Sequence, residues 1–295
     1  MYALLVALAS TLTGVVHVHH APSHDSDASF EAVLAAGFAA DLDFVVLTEH
    51  AEVSQRGPLP AAERAGVYTG PAGSRLLVLV GVELGTDDGH LLALDVPRMP
   101  APASSSGRAT IDAIHALGGM AVVPHPFSHG GWHDWDAPFD GLEVHNNASS
   151  LRRLGAMLPL AVLVAAWSPE RALRFMLVRP ERELERWESL LRRRRVLAFS
   201  GADAHQNVSI LGWQLDPYEQ MFRAVQTVCE GSALAPERIW GALREGRCLI
   251  RYPVLASRER TQLVVFPSGR RERWLRGGRR LVEIHQPPPA GEPTQ

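Results

Sequence analysis

Histidines and carboxylates recur in this chain at the ends of short apolar runs. Val15-Val16 leads into His17-Val18-His19, Phe44-Val45-Val46-Leu47 into Thr48-Glu49-His50, and Leu77 to Val82 into Glu83. Ala121-Val122-Val123 leads into Pro124-His125-Pro126, Leu142 into Glu143-Val144-His145-Asn146, and Val196 to Phe199 into Ser200-Gly201-Ala202-Asp203-Ala204-His205. Neutral imidazole with carboxylate suits zinc, iron or manganese rather than calcium. Residues two apart on a strand share a face, so His17 with His19, and Asp203 with His205, can each aim at one ion. Glu83, between imidazole groups, can bridge two ions. Such a centre lowers the pKa of water from about 15.7 to roughly 7, giving a nucleophile without a serine or cysteine.

Several elements must bring these residues together. Short β-branched runs alternate with segments of helical period, the pattern of a sheet wrapped by helices, and in a parallel barrel the strand C-termini converge on one face. The pattern predicts strands at Val15 to His19, Phe44 to Thr48, Leu76 to Val82, His90 to Leu94, Met120 to Val123, Gly141 to Val144 and Val196 to Phe199. Helices are expected at Phe30 to Ala40 behind Ser29, Ile111 to Leu117, Leu151 to Trp167, Glu181 to Leu191 and Tyr218 to Gly231. After about Pro236 the pattern changes to a short helix, Glu237 to Arg244, and strands near Cys248 to Tyr252, Gln262 to Phe266 and Leu281 to His285. That division gives an apolar segment over 1–14, a main domain over 15–235, and a small β-rich extension over 236–295 ending in a disordered Pro-rich tail.

Composition removes other chemistries. The 29 basic and 32 acidic residues of 295 leave a net charge of −3, with no basic excess to follow a nucleic-acid backbone. Every basic residue is an arginine, so lysine nucleophiles and Schiff bases are excluded. Cys229 and Cys248 cannot make a disulfide framework or a zinc knuckle and read as buried or incidental. The run Tyr2 to Ala9 has a partial export-signal character without a preceding positive charge, so a cytoplasmic and an exported protein are both left open. No stretch is long enough to span a bilayer; Met157 to Trp167 is short and contains Pro159.

With these motifs the chain resembles the polymerase and histidinol phosphatase (PHP) metallohydrolases over roughly Val15 to Glu230. The likeness is carried by His17-Val18-His19 with His24 following, Thr48-Glu49-His50, Gly81-Val82-Glu83, His125-Pro126 and Asp203-Ala204-His205, in the family's order. Asp25-Ser26 and Gly89-His90-Leu91 look most like its carbaryl-hydrolase branch. The resemblance implies an α/β fold, a distorted seven-stranded β/α barrel of PHP type, with two or three divalent ions: zinc, manganese or iron. One ion would take His17, His19, Glu83 and Asp203. A second would share Glu83 and add His125 and His145; a third would take His24, His50 and His205. His24 stands where many members have Asp, and Glu49 replaces the usual Asp before His50. Glu83, Asp203 and His205 are the catalytic candidates. His20, His90, His115 and His285 are assigned no metal role, and His90 reads as a turn exit. Arg56, His129 and His133 are candidate substrate contacts, with Arg64 and the aromatic loop Phe127 to Asp140 beside them. The expected substrate is a small-molecule phosphoester; the alternatives are a carboxylic ester, amide or carbamate, or a metal-holding module without turnover.

Overall fold

The computed structural model describes residues 10–128, 131–153, 155, 160, 163–164, 167–168, 171, 173–174, 177–210, 213–255, 261–265, 270–275 and 281–287. The apolar run Tyr2 to Ala9, His129, much of Met157 to Trp167 and the tail beyond 287 lie outside them.

Seventeen strands are formed among the described residues: β1 (Thr11–Val18), β2 (Phe44–Leu47), β3 (His50–Glu52), β4 (Gly66–Thr69), β5 (Arg75–Val80), β6 (Val82–Thr86), β7 (Gly89–Leu94), β8 (Met120–Val123), β9 (Gly141–Asn146), β10 (Leu197–Ala204), β11 (Ser209–Ile210), β12 (Trp213–Gln214), β13 (Gln226–Glu230), β14 (Cys248–Arg251), β15 (Thr261–Val265), β16 (Arg271–Leu275) and β17 (Leu281–His285). The α-helices described in full are α1 (Phe30–Ala39), α2 (Gly107–Ala116), α3 (Asn147–Arg153), α4 (Glu181–Leu191), α5 (Tyr218–Ala224) and α6 (Pro236–Glu245). Local chemistry sets their ends. The Ser29 and Ser106 hydroxyls cap α1 and α2 by accepting from the N–H groups of Ala32 and Ala109, and Gly118, at φ 78°, follows α2.

Fifteen of the described strands form one mixed sheet. Its centre is parallel, with β2, β1, β10, β9 and β8 side by side, and β7 antiparallel to both β8 and β6. The apolar runs are buried on both faces, and alternate residues divide between two cores: Val45 and Leu47 of β2 join one, Phe44 and Val46 the other.

The closed seven-stranded barrel expected from the sequence is not what forms: the sheet is open. Its path ends at β3, and β2, β5 and β4 branch from β1. The ladder is interrupted where Thr48-Glu49 separates β2 from β3 and Gly81 separates β5 from β6. The two arms meet there through chain continuity and through single bonds, Gly81 N–H to Leu47 O (2.8 Å) and Glu83 N–H to Glu49 O (3.1 Å).

Two further expectations, the helix at Tyr218 to Gly231 and the incidental cysteines, need correction. Tyr218 to Gly231 is not one helix: α5 ends at Ala224, and the β-branched run that follows pairs as β13 with β1 and β14. β14 to β17 continue the main sheet beyond β13. Cys229 and Cys248, directly opposite on β13 and β14, are joined by a disulfide rather than being incidental thiols.

Candidate metal centre

Glu83, at the second position of β6 and fully buried, is the hub of the site. Its Oε2 lies 2.8 Å from His17 Nε2, 3.2 Å from His19 Nε2 and 3.6 Å from His50 Nδ1. Its Oε1 lies 2.6 Å from His90 Nδ1 and 3.0 Å from His125 Nε2. Asp203 Oδ1 stands 3.6 Å from His17 Nε2, 3.9 Å from His19 Nε2 and 3.5 Å from His205 Nδ1. The rings of His50 and His205 stack on His19 at 4.5 and 4.2 Å. Imidazoles and carboxylates from six strand ends thus converge.

Backbone irregularities aim them. His17, at φ 68°, is left over in β1, where Val16 and Val18 pair with the successive residues Val46 and Leu47. His125 (φ 25°) and Asp203 (φ 45°) also have positive φ. Bulges of this kind redirect side chains at the rim of a sheet.

Buried acceptors fix the imidazoles. Glu143 places Oε1 2.7 Å from His17 Nδ1, and its Oε2 accepts from the His125 N–H (2.9 Å) and from Asn146 Nδ2 (2.8 Å). Ser23 Oγ donates to Glu49 (2.5 Å), accepts the His50 N–H (3.0 Å) and lies 3.1 Å from His19 Nδ1. The longer Glu49 therefore does position this corner, through Ser23 and through the ring of His20. With their Nδ1 atoms facing these acceptors, His17 and His19 turn their Nε2 atoms inward and would offer them to a cation once the proton there has left, the arrangement seen where an outer acceptor sets the tautomer of a metal-binding histidine.

The electrostatics are those of a centre short of positive charge. Burial pulls His17 down, but Glu143, Glu83 and Asp203 more than offset it and hold the imidazole well above its ordinary value. Burial pushes Glu83 and Asp203 up, yet the facing imidazoles keep both low. His19, where burial dominates, is lowered to about 4. Its buried Nε2 has no hydrogen-bond partner among the described residues, an orphan suited to a divalent cation, and the donor set of neutral imidazole and carboxylate agrees. Among the described residues, ligand atoms fall within one ion's reach in four groups: His17, His19 and Glu83; His17, His125 and Asp203; His19, His50 and His205; and His50, Glu83 and His90.

Most of the expected residues are brought together, but not all. His145 stands in none of these groups: its Nε2 is 3.0 Å from Asn147 Oδ1 and its ring packs on Tyr252. One residue of β9 is left unpaired between the pairs Glu143–Phe199 and His145–Ser200, so Glu143 and His145 lose the common face their spacing suggests. His24 is exposed, its ring 5.0 Å from that of His50, while its neighbour Asp25 places Oδ2 3.4 Å from His50 Nε2 and 3.0 Å from His205 Nε2. His90 is no mere turn exit. The hairpin of β6 and β7 sets it opposite Gly85, diagonal to Glu83 on the same face. That diagonal, seven residues along a hairpin with Asp88-Gly89 at its turn, was the signal in the sequence.

A cavity of about 560 Å³ opens onto the cluster. His50, His90, His125, Asp25, Asp203 and His205 form its floor; Phe127, Ser128, Ser149 and three arginines complete its lining. Arg56 and His133 are not among the lining residues. Arg56 instead donates to Val53 O and Gln55 O of its own loop, Arg64 lies over the Phe30 ring, and His129 falls outside the described residues.

No family profile matches the chain, and no curated protein matches it. Among solved structures it is similar to a two-domain protein of Bacteroides vulgatus containing a predicted PHP-like metal-dependent phosphoesterase, at 15% identity over 90% of this chain and 75% of that one, with a TM-score of 0.46. It is also similar to Endonuclease Q, solved with a 27-mer duplex substrate with an abasic lesion at the active site (13% identity, 80% and 57% of the two chains, TM-score 0.44). A third is a Bifidobacterium adolescentis protein described provisionally as a metal-dependent phosphoesterase (15% identity, 69% and 91%, TM-score 0.40). Likenesses this distant carry no functional argument, which rests on the side chains.

Proposed function

We propose that this chain is a metal-dependent phosphoesterase of PHP type, acting on a small-molecule phosphoester through two or three divalent cations. The observation that carries the reading is the convergence of five imidazoles on the two oxygens of one buried carboxylate, Glu83. His17, His19, Glu83 and Asp203 would hold one cation; Glu83, His125 and His90 a second; His50, His205 and Asp25 a third. Zinc, manganese and iron all suit this donor set. Such cations lower the pKa of a bound water and neutralise charge gathering on phosphoryl oxygens.

The chain's own part is placement. Glu143 and Ser23 lock the His17 and His19 rings, so the donor atoms need no reorganisation as the substrate arrives. The floor of the cavity presents the cluster to a phosphate, and its aromatic and arginine lining receives the rest of the molecule. The test is elemental analysis of the chain as purified and after manganese loading, together with turnover of phenyl phosphate. Two to three ions per chain, with phosphate release lost in Asp203→Ala and His125→Ala, are expected. Activity on aryl carboxylic esters alone, or bound metal with no turnover, would replace this reading.

A further inference from the structure

The lining of the cavity is divided by charge. Its two carboxylates, Asp25 and Asp203, face imidazoles on the floor. The same lining includes Arg152 from the last turn of α3 and Arg182 from the first turn of α4, together with Arg153. Arg153 is neutralised by the buried Glu183. Arg152 and Arg182 make no ion pair among the described residues, and the Arg182 guanidinium lies over the Phe127 ring, 4.5 Å from its centroid. Two exposed guanidiniums from different helices, neither ion-paired among the described residues, therefore line the same cavity as the cluster, one of them over an aromatic face. A planar guanidinium fork matches carboxylate and phosphate oxygens.

We propose that the substrate carries a second anionic group on its organic part, a carboxylate or a further phosphate, received by Arg152 and Arg182 while the reacting phosphate lies over the histidine floor. The proposal rests on the phosphoesterase reading for the identity of that first group. Phosphoesters whose organic part is neutral or cationic then bind more weakly than those with a second anion, because they leave the two exposed arginines to solvent.

The test uses the full chain loaded with manganese and three non-hydrolysable probes: phenylphosphonate, 4-carboxyphenylphosphonate and 1,4-phenylenebisphosphonate, titrated by calorimetry. The two probes with a second anion should bind about fivefold tighter than phenylphosphonate, an advantage kept modest by solvent and shrinking with added salt. The stronger of the two identifies the second group as carboxylate or phosphate. In Arg152→Gln/Arg182→Gln the advantage should vanish while phenylphosphonate binding stays constant. Arg192→Gln, on an exposed arginine that does not line the cavity, controls for net charge and should keep it. Equal affinities in the unmodified protein, equal losses on all three probes, or no binding of any probe would overturn the proposal. Selective binding without hydrolysis of the matching phosphate esters would refute the phosphoesterase reading and leave the arginine wall standing; hydrolysis of phenyl phosphate with no preference would do the reverse.

Discussion

Replacing Glu143 by glutamine isolates the positioning of the centre from its ligands. Three donors point at the two oxygens of this fully buried carboxylate: His17 Nδ1–H, the His125 N–H and Asn146 Nδ2–H. Glutamine keeps the shape but offers one acceptor oxygen and one NH2 donor. If the NH2 faces His125 and Asn146, a peptide N–H is left buried and opposed by another donor, since turning the Asn146 amide would forfeit its bond to the Ser149 N–H (2.8 Å). If it faces His17, that ring must accept at Nδ1 and carry its proton on Nε2, the atom 2.8 Å from Glu83, where it can no longer ligate. The first arrangement costs about 1–3 kcal/mol for an unsatisfied buried donor. The second should weaken metal affinity by roughly 10- to 100-fold, or about 1.4–2.8 kcal/mol. The assay is chelator competition with manganese, paired with thermal melting of the metal-free chain to separate folding from loading. A Glu143→Gln protein that melts normally and binds metal within twofold of the unmodified chain would refute the reasoning.

Other outcomes follow from the same geometry. A Cβ at Gly201 would lie 2.2 Å from Glu143 Oε1, so Gly201→Ala should displace that carboxylate and reproduce the metal-binding loss of Glu143→Gln; unchanged affinity would show that the contact is relieved elsewhere. His90→Ala should lower bound metal as read by elemental analysis, whereas His145→Ala should leave it unchanged; the opposite result would restore the ligand set expected from the sequence. In chelator, stabilisation from the raised imidazoles of His17, His125 and His205 is complete below their ordinary 6.5 and is lost as pH rises through their folded values. That from the lowered Glu83 and Asp203 is present above their ordinary 4.5 and 3.8 and is lost as pH falls. The lowered imidazoles of His19 and His145 act the other way, losing stability as pH falls from 6.5 towards about 4, so the metal-free chain should melt highest near pH 6.5, and cations, which displace the protons of the raised imidazoles, should raise its melting temperature increasingly above that pH. A pH-independent gain would contradict the protonated cluster.

The strand-end motifs were legible because apolar runs and imidazoles lie next to each other in sequence; His17 and His19 do meet at Glu83, though through the bulge at His17 rather than through a shared strand face. Period-two reasoning failed where the backbone departs from that period. The unpaired residue in β9 turns His145 away while leaving Glu143 pointing at His17. Asp25 was passed over for His24 because a loop has no period to say which neighbour faces inward. His90 became visible only once β7 was known to fold back antiparallel on β6. A barrel was expected because a parallel arrangement was assumed; the antiparallel β7 and the breaks at Thr48-Glu49 and Gly81 give an open sheet instead. Cys229 and Cys248 meet only because β13 is a strand, where helical spacing had been read.

His17, His125 and Asp203 all hold a left-handed backbone that side-chain-bearing residues avoid, at roughly 1–3 kcal/mol each. Tension concentrated at three corners of one pocket gives the molecule a soft spot beside its firm interior. An emptied protein should begin to loosen at this rim rather than among the packed valines and leucines below, so amide exchange there would register the comings and goings of cations long before the scaffold gives way.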